Sequence, residues 1–222
     1  MGDLYEMLGL QDKLDVTTKE IKKAYKKASL KYHPDKLGAG NVTEDSKAMW
    51  LKLQNAHDTL TDSEKRKKYD SSLPFDDSIP VESEYNDETE FYEVMKKYFQ
   101  RNSRWSKKKN VPLPGDATTE MKEVRAFYNF WNSFESWRVF SQFDEFNVDA
   151  IDEAQDRYER RYMENENKKN QKKHLKGERT RIINLVGFMY KNDPRIIAEL
   201  AEEEAVKDRV KQAWKDKKAL EA

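Results

Sequence analysis

His33 and Asp35, separated only by Pro34 in the stretch KYHPDK, have types and spacing that could do chemistry. An imidazole beside a carboxylate can serve as base and orienting acid, but that work needs a Ser or Cys nucleophile, and none accompanies the pair. The chain has no cysteine at all, which also removes thiolate metal sites and disulfides. As metal ligands the two residues would need at least one more protein donor. The other histidines do not supply it: His57 falls on a helix face expected to point inward, and His174 lies in a basic run. Hydrolysis and metal catalysis are therefore set aside, and no cofactor is expected. Taken alone, the tripeptide is a loop histidine followed by a turn aspartate.

A second group of residues could do electrostatic work. Arg157, Arg161, Lys168, Lys172, Lys176 and Arg179 are separated by 4, 7, 4, 4 and 3 residues, one stripe of any helix that continues past Gly177. Arg160, Lys169 and Lys173 flank the stripe, and Arg181 closes the run. Between Lys168 and Arg181 the single acid is Glu178. Such an excess suits a phosphate backbone, where each neutralised phosphate releases counterions. Few aromatics interrupt that run, so base-specific readout is not expected. The simpler alternative is a solvated face with intrahelical pairs such as Glu164 with Lys168. Lys107 to Lys109 form a smaller basic patch.

These residues must be carried by helices. Asp3 to Leu10 reads as a short one with Leu4, Tyr5 and Leu8 on one side. Thr17-Thr18-Lys19-Glu20 is a capping box that opens a helix whose apolar side is Ile21, Tyr25, Ala28 and Tyr32. The opposite side carries Lys19, Lys22, Lys23, Lys26 and Lys27. Pro34 ends that helix at His33, and a loop containing Gly38 and Gly40 follows. A second long helix is expected from about Asp45 to Leu60, with Trp50, Leu53, Ala56, His57 and Leu60 facing inward. Thr61 to Glu64 caps another, which ends in Lys65-Arg66-Lys67-Lys68-Tyr69-Asp70. Ser71 to Glu90 is acidic and contains two prolines, as a linker would. Phe91 to Trp105 resumes a helical pattern. The run from Phe127 to Phe146 places Phe127, Trp131, Phe134 and Trp137 at helical spacing, and aromatics so spaced are read as core. A polar helix is predicted over about 151–173, an apolar set at Ile182, Leu185, Val186 and Met189, and a charged helix after the Asn192-Asp193-Pro194 start signal. No segment alternates as a strand does, so the chain reads all-α.

The balance of the composition agrees. Charged residues are 38% and hydrophobic residues 36%, too polar a mixture for one large core. The formal charge of zero is a sum of opposite blocks: residues 101–110 hold five Lys or Arg and no acid, whereas 73–100 hold two against eight acids. Segregation of that kind favours local anion-binding surfaces. No apolar run approaches a membrane span or signal peptide, so no membrane partner and an intracellular location are expected.

Taken together, DLYEMLGL (Asp3 to Leu10), IKKAYKKASLKYHPDK (Ile21 to Lys36) and LQNAHDTLTDSEKRKKYD (Leu53 to Asp70) resemble the J domain of DnaJ-type co-chaperones. His57 departs from the family's usual aromatic. The resemblance implies docking on a DnaK-class heat-shock ATPase and stimulation of its ATP hydrolysis, with no enzyme activity in this chain. The residues implicated are His33, Pro34, Asp35, Lys22, Tyr25, Lys26 and Lys27. A second resemblance covers EFYEVMKKYFQRNSRWSKKKNVPLPGD, FYNFWNSFESWRVF, RYERRYMENENKKNQKKHLKGERTRIINLV and NDPRI, which look like the zuotin homology region of ribosome-associated J proteins. It implies that Arg157, Arg160, Arg161, Lys168, Lys169, Lys172, Lys173, Lys176, Arg179 and Arg181 sit on ribosomal RNA and protein near the exit tunnel, in the cytoplasm.

The expected organisation is a J domain over 1–72, an acidic linker over 73–90, a zuotin homology domain over 91–196 and a charged helix over 197–222 that is cut short. Family members also carry a segment before the J domain that binds an atypical DnaK-class partner, and this chain begins almost at the J block. Two other functions stay open at this point. One is a J protein acting off the ribosome on nucleic acid or chromatin; the other is a passive ribosome- or RNA-binding factor with a silent J domain.

Overall fold

A computed structural model describes residues 3–10, 16–37 and 43–220 of the chain; the predicted Gly38–Gly40 loop lies outside them. Among the described residues the fold is all-α, as expected, and the chain divides into two compact units. No helix among these residues is long and apolar enough to cross a membrane.

The first unit comprises residues 1–75 and 138–175. Helix α1 (Leu4–Met7) starts at Asp3, whose carboxylate accepts from the Tyr5 amide. Helix α2 (Thr18–Tyr32) opens with the predicted Thr17/Glu20 capping box, worth about 1 kcal/mol. Helix α3 (Pro34–Leu37) is a single turn, α4 spans Glu44–Thr61 and α5 spans Ser63–Ser72. Leu4, Tyr5, Leu8, Ile21, Leu53, Ala56 and Leu60 form the buried core, drawn from α1, α2 and α4. Trp50 and His57, expected to face inward, are half-buried instead.

The Lys65–Asp70 stretch fastens the other end. Arg66 Nε donates to the Tyr5 hydroxyl at 3.0 Å, and Tyr5 donates to the Asp70 carboxylate at 2.7 Å. The Arg66 Nη2 also donates to the Val16 carbonyl at 2.7 Å, so one guanidinium ties α5 both to α1 and to the residues that lead into α2.

The returning part of this unit includes α8 (Val148–Asp152) and the first half of α9. A polar helix was expected to begin near residue 151. The chain instead breaks after Asp152, and α9 begins at Arg157 where the Asp156 carboxylate accepts the Tyr158 and Glu159 amides. The loop before α8 is strapped to α9: Asn167 accepts from the Glu145 and Phe146 amides and donates to the Phe146 carbonyl, Gln171 donates to Asp144, and His174 stacks on Phe143 at 3.9 Å.

The second unit comprises residues 76–137 and 176–222. Its core is built from α6 (Glu88–Ser103), α7 (Met121–Asn132) and the later half of α9 (Arg157–Asn192). The predicted set Ile182, Leu185, Val186 and Met189 is buried throughout, against Phe91, Met95, Phe99, Phe127 and Trp131. The aromatic run is not one helix. Helix α7 stops at Asn132, and Trp137 reaches Trp105 through extended backbone, with its amide donating to the Trp105 carbonyl at 2.8 Å. The acidic segment before α6 is ordered: Tyr98 donates to Glu84, and Arg101 holds Asp76 and the Ser78 carbonyl. The break at Pro112–Gly115 turns through Gly115 at φ +73°, where a Cβ would fall 2.2 Å from the Thr119 hydroxyl. Helix α10 (Pro194–Leu220) starts with Asp193 as its cap, as the Asn-Asp-Pro signal predicts.

Candidate functional site

Helix α2 ends where proline forbids it to continue. His33 takes extended backbone, φ −66° and ψ 129°, while its amide still donates to the Ser29 carbonyl at 2.8 Å. Pro34 then begins α3, a position where its missing N–H is no loss. The loop is held shut by its own histidine: the Asp35 amide donates to His33 Nδ1 at 3.1 Å. With Nδ1 accepting, the neutral imidazole carries its proton on Nε2. Among the described residues neither Nε2 nor the exposed Asp35 carboxylate has a partner.

A series of rings stands behind the loop. Trp50 meets His33 edge to face at 4.8 Å, Tyr25 lies 6.1 Å from Trp50, and His57 lies 4.2 Å from Tyr25. Asp58 closes the series with its carboxylate 3.0 Å from His57 Nδ1. Each such ring pair contributes roughly 0.5–1.5 kcal/mol, and together they fix the end of α2 to α4. Tyr25 is thus half-buried and packed, with burial raising its hydroxyl above the usual range. Lys22, Lys26 and Lys27 are exposed and form no ion pair among the described residues. The bracing role of Trp50 is absent from the sequence reading. Its signal is the spacing of seven from His57, which sets both on one face of α4.

The predicted basic stripe lies on α9, which runs through Gly177 without interruption. Arg157, Arg161, Lys168, Lys172, Lys173, Lys176 and Arg179 are exposed and have no acidic partner among the described residues. Arg160 is partnered by Asp152 at 2.9 Å and Glu164 at 3.6 Å, and Lys169 by Glu166 at 3.3 Å. The anticipated Glu164–Lys168 pair does not form; Glu164 is used by Arg160. Arg181 differs from the rest of the set. Its guanidinium donates to Glu178 and Asn102, sits 3.3 Å from Asp77, and belongs to the internal structure of the second unit. In the smaller patch, Lys107 lies 3.6 Å from Glu135 and Lys108 sits over the Phe130 ring.

Known proteins match this chain in two segments. Residues 3–70 match the DnaJ domain, and residues 90–197 match the family described as "Zuotin-like, zuotin homology domain". The chain is 40% identical over 207 residues to the human protein "DnaJ homolog subfamily C member 2", covering 91% of this chain and 32% of that one. It is 35% identical over 196 residues to "Zuotin" of Saccharomyces cerevisiae, covering 88% of this chain and 44% of that protein. The "Zuotin" of Schizosaccharomyces pombe is 36% identical over 207 residues, covering 92% and 45%. The chain thus spans from about a third to somewhat under a half of the length of these relatives.

Proposed function

Since this chain belongs to the zuotin-type J-domain proteins, a DnaJ domain followed by a zuotin homology domain, we propose that it is a cytoplasmic, ribosome-associated co-chaperone. In this reading it stimulates ATP hydrolysis by a DnaK-class heat-shock ATPase that acts on nascent chains, and it performs no hydrolysis itself. The observation that carries the reading is the pair of unsatisfied groups, His33 Nε2–H and the Asp35 carboxylate, presented on a proline-fixed loop. A donor and an acceptor held at fixed spacing, with no internal partner, are built to meet polar groups on another molecule. Their contacts would favour one conformation of the ATPase over another, and the shift extends only as far as that differential affinity. Lys22, Lys26 and Lys27 would draw the complex together, raising the rate of encounter more than its lifetime.

The unpaired cations of α9 supply the second half of the function. They would neutralise phosphates of ribosomal RNA near the exit tunnel, an interaction without sequence readout and steeply dependent on salt. Arg181 has no part in this contact.

Two experiments test the two halves separately. In single-turnover ATP hydrolysis with a DnaK-class ATPase, Asp35→Asn and His33→Gln should leave the circular dichroism of the chain unchanged and abolish stimulation. Retained stimulation by either variant refutes the loop assignment. In ribosome co-sedimentation across a salt series, the intact chain should pellet at low salt. A variant carrying Glu at Lys168, Lys169, Lys172 and Lys173 should stay in the supernatant. A variant that still pellets moves the anchor elsewhere.

A further inference from the structure

The exposed face of α9 contains more than cations. Tyr158 is 85% exposed and Tyr162 60% exposed, and neither hydroxyl has a partner among the described residues. At about 100° per residue, Arg157, Arg161, Lys168, Lys169, Lys172 and Lys173 project into one arc of about 160°, and both tyrosines project within it, Tyr158 near its middle and Tyr162 towards the Lys173 edge. Asn165 is the only other residue of Arg157–Lys173 in that arc, and all nine are exposed. The acids are sorted away. Glu159, Glu164 and Glu166 project outside the arc, Glu164 and Glu166 just beyond its two edges, where they accept the Gln155 amide, pair with Arg160 and pair with Lys169 respectively. Outside the arc every residue of this stretch except Arg160 is buried or half-buried.

The rings have no packing role that would explain them. Among the described residues Tyr158 has no aromatic neighbour and Tyr162 meets only the Phe146 ring, at 6.2 Å, which orients it while leaving most of its surface open. Large flat side chains interleaved with cations, of which all but Lys169 lack an acidic partner among the described residues, form a surface that takes both parts of a nucleotide. The cations meet phosphates, and the rings meet bases that have left a helix.

We infer that Tyr158 and Tyr162 stack on unpaired nucleotides of RNA, so that α9 selects a loop or bulge over continuous duplex. This rests on the reading that the basic face of α9 contacts RNA and sharpens its substrate class. Stacking of this kind tolerates any base, so it adds selectivity for RNA structure without sequence readout.

The test is equilibrium binding of the whole chain to two RNA hairpins of equal length and charge. One is continuously paired beneath a short stable loop; the other carries a three-nucleotide bulge. The chain should prefer the bulged hairpin. Tyr158→Ala with Tyr162→Ala should lose roughly tenfold in affinity per stacked base for that hairpin and bind the paired one unchanged. Its salt dependence should be unaltered, because no phosphate contact is removed. Tyr158→Phe with Tyr162→Phe keeps the rings and should keep the preference. Equal binding of both hairpins by the intact chain, or an alanine variant that retains the preference, overturns the stacking role and leaves the phosphate reading standing. If the intact chain binds neither hairpin, the RNA reading of α9 fails and stacking fails with it. Loss of ribosome binding by the alanine variant in that case would assign the rings to a ribosomal protein instead.

Discussion

Asp193 is the residue whose removal the second unit should tolerate least. It is fully buried, and its two carboxylate oxygens accept from the Tyr128 hydroxyl at 2.7 Å, the Tyr92 hydroxyl at 3.4 Å, and the amide, Nε and Nη2 of Arg195 at 3.1, 2.9 and 2.8 Å. The remaining guanidinium nitrogen, Nη1, donates to the Pro114 and Asp116 carbonyls at 2.9 Å. One carboxylate and one guanidinium thereby join α6, α7, the Pro112–Gly115 turn and the start of α10. Asp193→Ala would leave a cation with 6% of its side chain exposed and no counter-charge. Breaking a buried pair from one side costs about 3–5 kcal/mol. The lost helix cap and the two stranded hydroxyls act on the same network, so their costs do not simply add. Against a domain stability of roughly 5–15 kcal/mol, and at about 4–8 °C per kcal/mol for a small domain, melting should fall by roughly 12–40 °C. Thermal unfolding followed by tryptophan fluorescence reads this out, because Trp105 and Trp131 are fully buried in this unit. The decisive comparison adds Arg195→Met to the alanine variant. Removing the stranded cation should restore roughly 1–3 kcal/mol. A double variant less stable than Asp193→Ala alone would show that uncompensated charge is not what the single variant suffers from.

Trp50→Leu removes the ring that meets His33 at 4.8 Å without opening the core, since Trp50 is half-buried. Maximal ATPase stimulation should fall at least about fivefold with a melting loss of only about 1–2 kcal/mol, and Trp50→Phe should recover most of it; unchanged stimulation would show that His33 does not need the brace. A pH effect follows from the tyrosines. Burial keeps the hydroxyls of Tyr5, Tyr92 and Tyr128 protonated above their ordinary range, with Asp70 adding to the effect at Tyr5 and Asp193 at the other two. The unfolded chain releases those protons near pH 10, so stability is present in full below that pH and declines as the pH rises above it. Tyr128→Phe removes one such proton and should flatten the alkaline decline by up to about 1.4 kcal/mol per pH unit, measured by denaturant melts from about pH 9 to pH 11.5; a slope equal to the parent's would contradict the assignment.

The sequence was most legible where a local rule coincides with the packing. The Thr17/Glu20 box, the proline at 34, the Asp193-Pro194 start and the Ile182–Met189 stripe each state a helix end or face in a few residues, and each is found in the fold. It was least legible where partners are distant. The aromatic run from Phe127 to Trp137 has helical spacing, yet the chain leaves the helix at Asn132 because Trp137 is claimed by Trp105, 32 residues earlier. Arg181 looks like its basic neighbours until Glu178, Asn102 and Asp77 are placed around it. At the candidate sites the motif residues and the cations were readable from type and order alone. Trp50 behind His33 and the tyrosines among the arginines were not, because bracing and exposure are properties of a surface. The i, i+4 repeat of Arg157-Tyr158 in Arg161-Tyr162 was the available signal for the latter.

A chain of zero formal charge can present strongly cationic faces only if its acids are occupied elsewhere, and here many are occupied by backbone. Glu20 closes the capping box of α2, where hydrogen bonds from Thr17 hold its carboxyl below the usual range. Asp62 caps α5 in the same way, held low by the Lys65 amide. Asp156 caps α9, and Glu159 accepts the Gln155 amide. Each acid so used serves a helix N-terminus, and along α2 Lys22, Lys26 and Lys27 are left without an ion pair among the described residues. Asp35 is not used in that way. It is exposed, it has no partner among the described residues, and it stands at the end of a helix face lined with unpaired lysines. A carboxylate with no partner among the described residues retains its capacity to accept from another molecule, which is the property the proposed contact with an ATPase requires.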